Sequence, residues 1–170
     1  LGYMKVGGKA RIIVPSSIGL GASQTGDIEP YTSLIYDIEL VDVKPGIELE
    51  PFNTDSLTEM TTVSGLKYYA VEQNTGIMLK SGNRVSVNYT GYLEDGKIFD
   101  SSVKRGEPAE FSLVEGNLIS GYLEGLLLMK VGEKFKMTIP PGLGYGADGY
   151  FPIIPPNTNI IFDVEVIEIL

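Results

Sequence analysis

From Arg84 onward the chain alternates: Val85, Val87 and Tyr89 are apolar, and Arg84, Ser86, Asn88 and Thr90 beside them are polar. Successive side chains of an extended strand point to opposite faces, so this period of two predicts a half-buried strand. Asp95-Gly96 follows as a strong turn signal. Leu66 to Gln73 predicts an earlier strand, and Ala109 to Leu113, Lys134 to Ile139 and Ile160 to Ile169 predict three later ones. The last of these sets Phe162, Val164 and Val166 on one face. Only Ser120 to Leu128 reads as helix, with Leu123, Leu126 and Leu127 at helical spacing and Gly121 and Gly125 four apart. Glycine costs about 1 kcal/mol in a helix interior relative to alanine, so the pair predicts a close approach of helix to sheet. The expected class is α+β: one short helix held in the concave face of a twisted, mostly antiparallel sheet.

The chain also repeats itself. Met4-Lys5-Val6-Gly7-Gly8-Lys9 returns as Met129-Lys130-Val131-Gly132-Glu133-Lys134, and nine of 19 positions are identical between residues 4–22 and 129–147. After a one-residue change of offset, Leu34-Ile35-Tyr36-Asp37-Ile38-Glu39 meets Ile160-Ile161-Phe162-Asp163-Val164-Glu165. The second copy has Leu66 to Gly125 in front of the repeated part, and Leu1 aligns with Leu126. The organisation expected is therefore the C-terminal half of a degenerate domain at 1–43, a linker at 44–64 and a complete domain at 65–170. The linker assignment rests on Lys44-Pro45-Gly46-Ile47-Glu48-Leu49-Glu50-Pro51-Phe52, which is rich in Pro and acids and lacks a sustained period. Its prolines predict a partly extended course.

Composition removes whole classes of chemistry. The sequence has no Cys and no His, so disulfides, thiol nucleophiles, serine-histidine triads and the usual zinc sites are excluded together. A net charge of −9 argues against nucleic acid as a partner, because that binding depends on neutralising phosphates with Lys and Arg. The run Leu126-Leu127-Leu128-Met129 falls far short of the roughly 20 apolar residues of a membrane-spanning helix.

Gly144-Tyr145-Gly146-Ala147-Asp148-Gly149 has the letters of a dinucleotide fingerprint and follows a strand. Such a fingerprint must open a helix, and Pro152, Pro155 and Pro156 prohibit one here. These glycines instead predict a long surface loop that lets Tyr145 point into a pocket. Glu94 and Asp95 flank a turn and are expected to be solvated. Asp100, between Phe99 and Ser101-Ser102, needs a partner if buried, and Arg105 is the nearest candidate. Tyr89, Phe99, Phe111, Tyr122, Tyr145 and Phe162 are compatible with one lined cavity or with the core of a small barrel-like sheet, and pattern alone permits both.

The segment Val87-Asn88-Tyr89-Thr90-Gly91-Tyr92-Leu93-Glu94-Asp95-Gly96-Lys97-Ile98-Phe99-Asp100-Ser101-Ser102 closely resembles the most recognisable stretch of the FK506-binding peptidyl-prolyl cis-trans isomerases. Later pieces resemble the same family in the same order: Leu118-Ile119-Ser120-Gly121-Tyr122, Met129-Lys130-Val131-Gly132, Gly144-Tyr145-Gly146 and Ile153-Ile154-Pro155-Pro156. The resemblance covers about Leu66 to Leu170. It implies a five-stranded antiparallel sheet wrapped on one short helix, with a ligand pocket between them. It assigns the catalytic wall to Tyr89, Phe99, Asp100, Ile119, Tyr122, Tyr145 and Phe162, with Arg105, Phe111, Leu118, Tyr150, Ile153 and Ile154 also binding substrate or drug. Ile119 would offer its backbone N–H, and Tyr145 its hydroxyl, to carbonyl groups. No cofactor is implied. Partners would be proline-containing polypeptides and macrolides of the FK506 and rapamycin kind, with a homo-oligomer through the N-terminal half-domain as a further expectation. Ser64-Gly65-Leu66-Lys67-Tyr68 resembles the entry to tandem bacterial members, which implies the periplasm or cell envelope.

The implied reaction suits a chain without His or Cys, because turning an X-Pro bond breaks no bond and needs no acid or base. An alternative use of the same pocket is a chaperone or binding module with little catalysis. Departures from the family pattern are Tyr122, where a tryptophan is usual, Ala109, where an aromatic is frequent, and the bulky Tyr150-Phe151-Pro152. The first copy departs further, with Leu20 in the place of Tyr145 and Glu29 in that of Pro155, and no isomerase activity is expected of residues 1–43.

Overall fold

Two ten-residue strands, Arg84–Leu93 and Ile160–Ile169, run antiparallel through the middle of the larger part of the molecule. The structure, a computed structural model, describes residues 4–23, 25–41 and 49–170. It divides into two compact units, Leu1–Gly46 and Ile47–Leu170.

In the first unit, strands β1 (Lys9–Val14) and β2 (Leu34–Glu39) pair antiparallel, with Lys9 opposite Glu39 and Val14 opposite Leu34. The second unit holds β3 (Met60–Thr61), β4 (Lys67–Glu72), β5 (Arg84–Leu93), β6 (Ile98–Ser101), helix α1 (Ser102–Arg105), β7 (Ala109–Ser112), helix α2 (Ser120–Leu127), β8 (Lys134–Ile139) and β9 (Ile160–Ile169). In the pair β8 and β9, Lys134 lies opposite Glu165 and Ile139 opposite Ile160. Shifted by the repeat, this is the register of β1 and β2, so the internal homology extends to the pairing itself. The burial differs: β8 buries every second side chain, Phe135, Met137 and Ile139, whereas their counterparts Ala10, Ile12 and Val14 in the first unit are only partly buried.

The sheet order is β3-β4-β8-β9-β5-β6, with β7 also on β5. β6 lies against Thr90 to Tyr92 and β7 against Arg84 to Val87, so the two occupy one strand position interrupted by α1. The expected five positions are present, and the two-residue β3 adds an edge. Alternation fills the core: Val85, Val87, Val164 and Val166 are fully buried from the sheet, and Leu126 from α2 meets them with Leu66, Met129 and Met137.

Three expectations need correction. α2 is not the only helix, since α1 forms a single turn. The Ser101 hydroxyl accepts from the Lys104 N–H at its start, and Gly106 ends it with φ +80°. A serine cap and a left-handed glycine one turn apart were the legible signal. β5 is not half-buried but covered on both faces, with Ser86 and Thr90 only 7% and 4% exposed. Finally, the expected linker at 44–64 is tied to the sheet at Phe52, residues 44–48 of that span lying outside the described residues. The Phe52 N–H donates to Asp163 Oδ2 at 2.8 Å, and Lys136 Nζ donates to the Phe52 carbonyl at 3.1 Å. Lys136 Nζ also stands 3.2 Å from Asp163 Oδ1, within ion-pairing range though not aligned as a hydrogen bond. A buried carboxylate with such partners fixes the irregular segment at Phe52 against the sheet, and β3 then pairs with β4. Burial, reinforced by Asp163, pushes the neighbouring Tyr92 hydroxyl up to about 12.

The glycines of α2 do face the sheet. A Cβ on Gly125 would stand 2.0 Å from Met137 Sδ, and one on Gly121 2.5 Å from Ile139 Cγ2. Gly125→Ala is therefore expected to lower the urea midpoint. Overpacking of about 1–3 kcal/mol exceeds the helix-propensity gain of about 1 kcal/mol, and an unchanged or raised midpoint would refute the close approach.

Candidate functional site

Six elements converge where α2 begins. β5 supplies Tyr89, β6 supplies Phe99 and Asp100, β7 supplies Phe111, and β9 supplies Phe162. The turn before α2 and the helix itself add Leu118, Ile119 and Tyr122, and the loop after β8 adds Tyr145. Together with Gly116 and Asn117 they line a cavity of about 430 Å³. Alternation sends Tyr89, Phe111 and Phe162 to the concave face, whereas the consecutive Phe99 and Asp100 both reach the cavity from β6, whose register against β5 shifts between Gly91 and Tyr92.

The rings hold one another in place. Tyr122 and Phe162 lie 4.8 Å apart between centroids, Phe111 meets Tyr122 edge-on at 5.8 Å, and Phe99 stands perpendicular to Phe162 at 5.5 Å. Such tilted and edge-to-face pairs suit aromatic quadrupoles. Gly91 makes the arrangement possible, because a Cβ there would fall 2.6 Å from Phe99 and 2.9 Å from Phe162.

One wall is polar and internally paired. The Tyr89 hydroxyl donates to Asp100 Oδ2, Arg105 Nη1 donates to Asp100 Oδ1, and Arg105 Nη2 donates to the Tyr89 hydroxyl at 3.0 Å. Arg105 reaches Asp100 because the single turn of α1 brings its side chain back over β6. The guanidinium also sits 5.6 Å from the centre of the Tyr89 ring. Burial opposes ionisation of Asp100, but the Tyr89 hydroxyl and the guanidinium outweigh it, and the carboxyl lies below its ordinary value. Burial, then the bond to Asp100, raises Tyr89. Burial also raises Tyr145, with smaller contributions from Tyr150 and Asp100. Tyr122 is pushed far up, again by burial first, and its hydroxyl has no hydrogen-bond partner among the described residues. The Ile119 carbonyl accepts from Tyr122 and Leu123 at the start of α2, while its own N–H finds no acceptor among the described residues. The Tyr145 hydroxyl likewise makes no hydrogen bond there, although its ring lies 5.5 Å from that of Tyr150.

All seven residues of the expected catalytic wall, with Phe111 and Leu118, meet in this one cavity. Arg105 stands behind Asp100 rather than on the lining. Ile154 is only 2% exposed and belongs to the core, because Tyr150 and Ile154 exchange backbone hydrogen bonds at 2.8 Å and close the loop tightly. Tyr150 and Ile153 are 56% and 39% exposed and do not line the cavity either. Gly116 and Asn117 were not anticipated. A Gly-Asn turn just ahead of Leu118-Ile119 was the available signal.

The family model for FKBP-type peptidyl-prolyl cis-trans isomerase matches residues 1–41 and 76–167. A probable FKBP-type peptidyl-prolyl cis-trans isomerase of Haemophilus influenzae is 50% identical over 109 residues, which are 64% of this chain and 44% of that protein. The FKBP-type 22 kDa isomerase of Escherichia coli is 47% identical over 110 residues, 65% of this chain and 52% of that one. FK506-binding protein 2 of Yarrowia lipolytica is 45% identical over 118 residues, covering 69% of this chain and 81% of that protein. The crystal structure of FkpA from Escherichia coli superposes with a TM-score of 0.63 at 45% identity, over 68% of this chain and 53% of that chain. The chain thus spans about half the length of its bacterial relatives. It belongs to the FKBP-type peptidyl-prolyl cis-trans isomerase family, and its fold is that family's α+β fold.

Because the folded Asp100 lies below its unfolded value, its contribution to stability is present above the unfolded pKa and is lost as pH falls through the folded one. The difference in unfolding midpoint between the wild type and Asp100→Asn is expected to hold steady from about pH 5 to 9 and to shrink below about pH 4. A difference that grew on acidification would refute the pairing. Tyr122→Phe removes a buried hydroxyl without a protein partner, so its midpoint should match or exceed that of the wild type, an unpaired buried group costing about 1–3 kcal/mol.

Proposed function

We propose that residues 66–170 accelerate rotation about peptidyl-prolyl bonds in polypeptides, by desolvation and without an acid or base. The observation that carries this reading is the aromatic cavity whose one charged lining group, Asp100, is already paired with Arg105 and Tyr89. Rotation must overcome roughly 18–20 kcal/mol of amide resonance, and uncatalysed it takes tens to hundreds of seconds. A planar amide carries partial negative charge on its oxygen, which water stabilises. Twisting the bond localises the lone pair on nitrogen and removes part of that charge. A ring-lined cavity that strips water from the amide therefore penalises the planar ground state more than the twisted transition state.

The side chains divide this work by position. Tyr122 and Phe162, in contact at the base, form the surface against which a prolyl ring packs. The Ile119 N–H and the Tyr145 hydroxyl, both without acceptors among the described residues, hold flanking carbonyls so that one side of the bond is fixed while the other turns. Asp100, tied by Arg105 and Tyr89, supplies a polar wall that does not shift as the substrate turns. The same cavity would be the site for macrolides of the FK506 kind. The first unit is assigned no isomerase role, since Leu20 stands in the place of Tyr145 and Glu29 in that of Pro155.

A refolding assay limited by proline isomerisation tests this. The wild type should exceed the uncatalysed rate and be inhibited by FK506. Tyr145→Phe should lose roughly threefold to tenfold in kcat/KM, the worth of one hydrogen bond. Asp100→Val should lose about tenfold or more, because it strands Arg105 and Tyr89. A chain with both changes should approach background, the first unit adding nothing. An uncatalysed rate from the wild type would end the isomerase reading, and full activity in both single variants would end the assigned roles.

A further inference from the structure

The concave surface does not stop at the aromatic cavity. Gly116 and Leu118, on its lining, also form one end of a second hollow of about 510 Å³ that runs along α2. Leu123, Leu127 and Leu128 give this hollow an apolar wall, and Glu115 and Glu124 bring charge to it. The packing of α2 does not require all of that wall: the helix buries Gly121, Tyr122, Leu123, Gly125 and Leu126, while Leu128 stays 36% exposed. Val114, which precedes Glu115 in the same turn, is 45% exposed. Apolar side chains grouped in a hollow mark binding surface more often than singly scattered ones do.

We propose that this groove extends the substrate site. It would take an apolar side chain flanking the prolyl segment of the same polypeptide, with an adjacent Lys or Arg paired to Glu115. The inference rests on the isomerase reading and deepens it. Continuity argues for this occupant. The saddle between the two hollows is the turn at Gly116, where the Asn117 N–H donates to the Val114 carbonyl at 3.2 Å and φ is +85°. Apart from its two chain neighbours, no atom stands within 4 Å of the position a Gly116 Cβ would take, so a polypeptide leaving the cavity meets no side chain from another segment at the crossing. Charge argues for the basic neighbour. Glu124 already accepts from the Ser64 hydroxyl at both oxygens, whereas Glu115 is exposed and pairs with no cation among the described residues. The chain's net charge of −9 acts in the same direction.

The test uses the full chain and two peptides with the same Ala-Leu-Pro-Phe centre, one a blocked tetrapeptide and the other extended on both sides with Leu and Lys. The wild type should turn over the extended peptide with a kcat/KM about tenfold higher, the scale set by burying one Leu-sized side chain. Leu128→Glu and Glu115→Lys should each remove most of that advantage and change the tetrapeptide rate less than about twofold. Glu115 lies on an exposed turn, so its variant reports even if Leu128→Glu folds poorly. The Kd of the extended peptide, followed by NMR titration, should move in the same pattern. Equal rates for both peptides in the wild type, or equal losses on both in the variants, would overturn the groove. So would a shift of oligomeric state in Leu128→Glu with peptide affinity unchanged, which would give this face to a second copy of the chain. A wild type that bound the extended peptide through Leu128 and Glu115 yet turned over neither peptide would refute the isomerase reading and leave the groove standing.

Discussion

The second unit depends on how near α2 lies to β8. At Gly125 and Gly121 the helix backbone sits so close to Met137 and Ile139 that no Cβ fits between them. That contact drops the helix into the concavity of the sheet and sets the level of everything at its N-terminal end. Tyr122, one residue beyond Gly121, is thereby pressed onto Phe162, and Ile119 at the start of the helix is brought to the rim. A helix held farther out would leave the same aromatic residues as separate surface rings. The cavity is a by-product of packing density: the core closes around two glycines, and the space left at one end is what a ligand occupies.

The polar side of the cavity is organised by a second constraint, the need to compensate a carboxylate inside a ring-lined wall. Asp100 is compensated twice, by Arg105 from α1 and by Tyr89 from β5. α1 has its functional meaning here, since a single capped turn redirects the chain between β6 and β7 and returns Arg105 over the strand it has just left. On the opposite face of the sheet, Asp163 and Lys136 do comparable work for the segment at Phe52. In both places a charged pair fixes an irregular piece of backbone that hydrophobic packing alone would leave undirected.

The two copies of the repeat show what packing adds to pairing. β1 and β2 keep the register of β8 and β9 residue for residue, because register follows from the sequence of the strands themselves and the link between them. Burial does not follow. Ile13 and Ile35 are exposed where Thr138 and Ile161 are partly covered, because Thr138 and Ile161 lie beside β4 and β5, which the hairpin by itself lacks.

Period and punctuation made much of this legible in the sequence. The strands at Arg84, Lys134 and Ile160, the helix at Ser120, the closeness implied by Gly121 and Gly125, and the pairing of Asp100 with Arg105 could all be read from residue order, because each is governed by neighbours a few positions apart. The motif resemblance added the list of rings. Other features were decided only in three dimensions. Alternation could not say that the outer face of β5 is covered, because the residues covering it come from other parts of the chain. Composition read residues 49–64 as a linker, since their hold on the sheet runs through Asp163 and Lys136, more than eighty positions away. Ile154 looked like pocket lining and Gly116 like plain turn, and backbone hydrogen bonds that close their loops reversed the two. Local rules fix which elements form, and long-range packing decides which of their faces remain open.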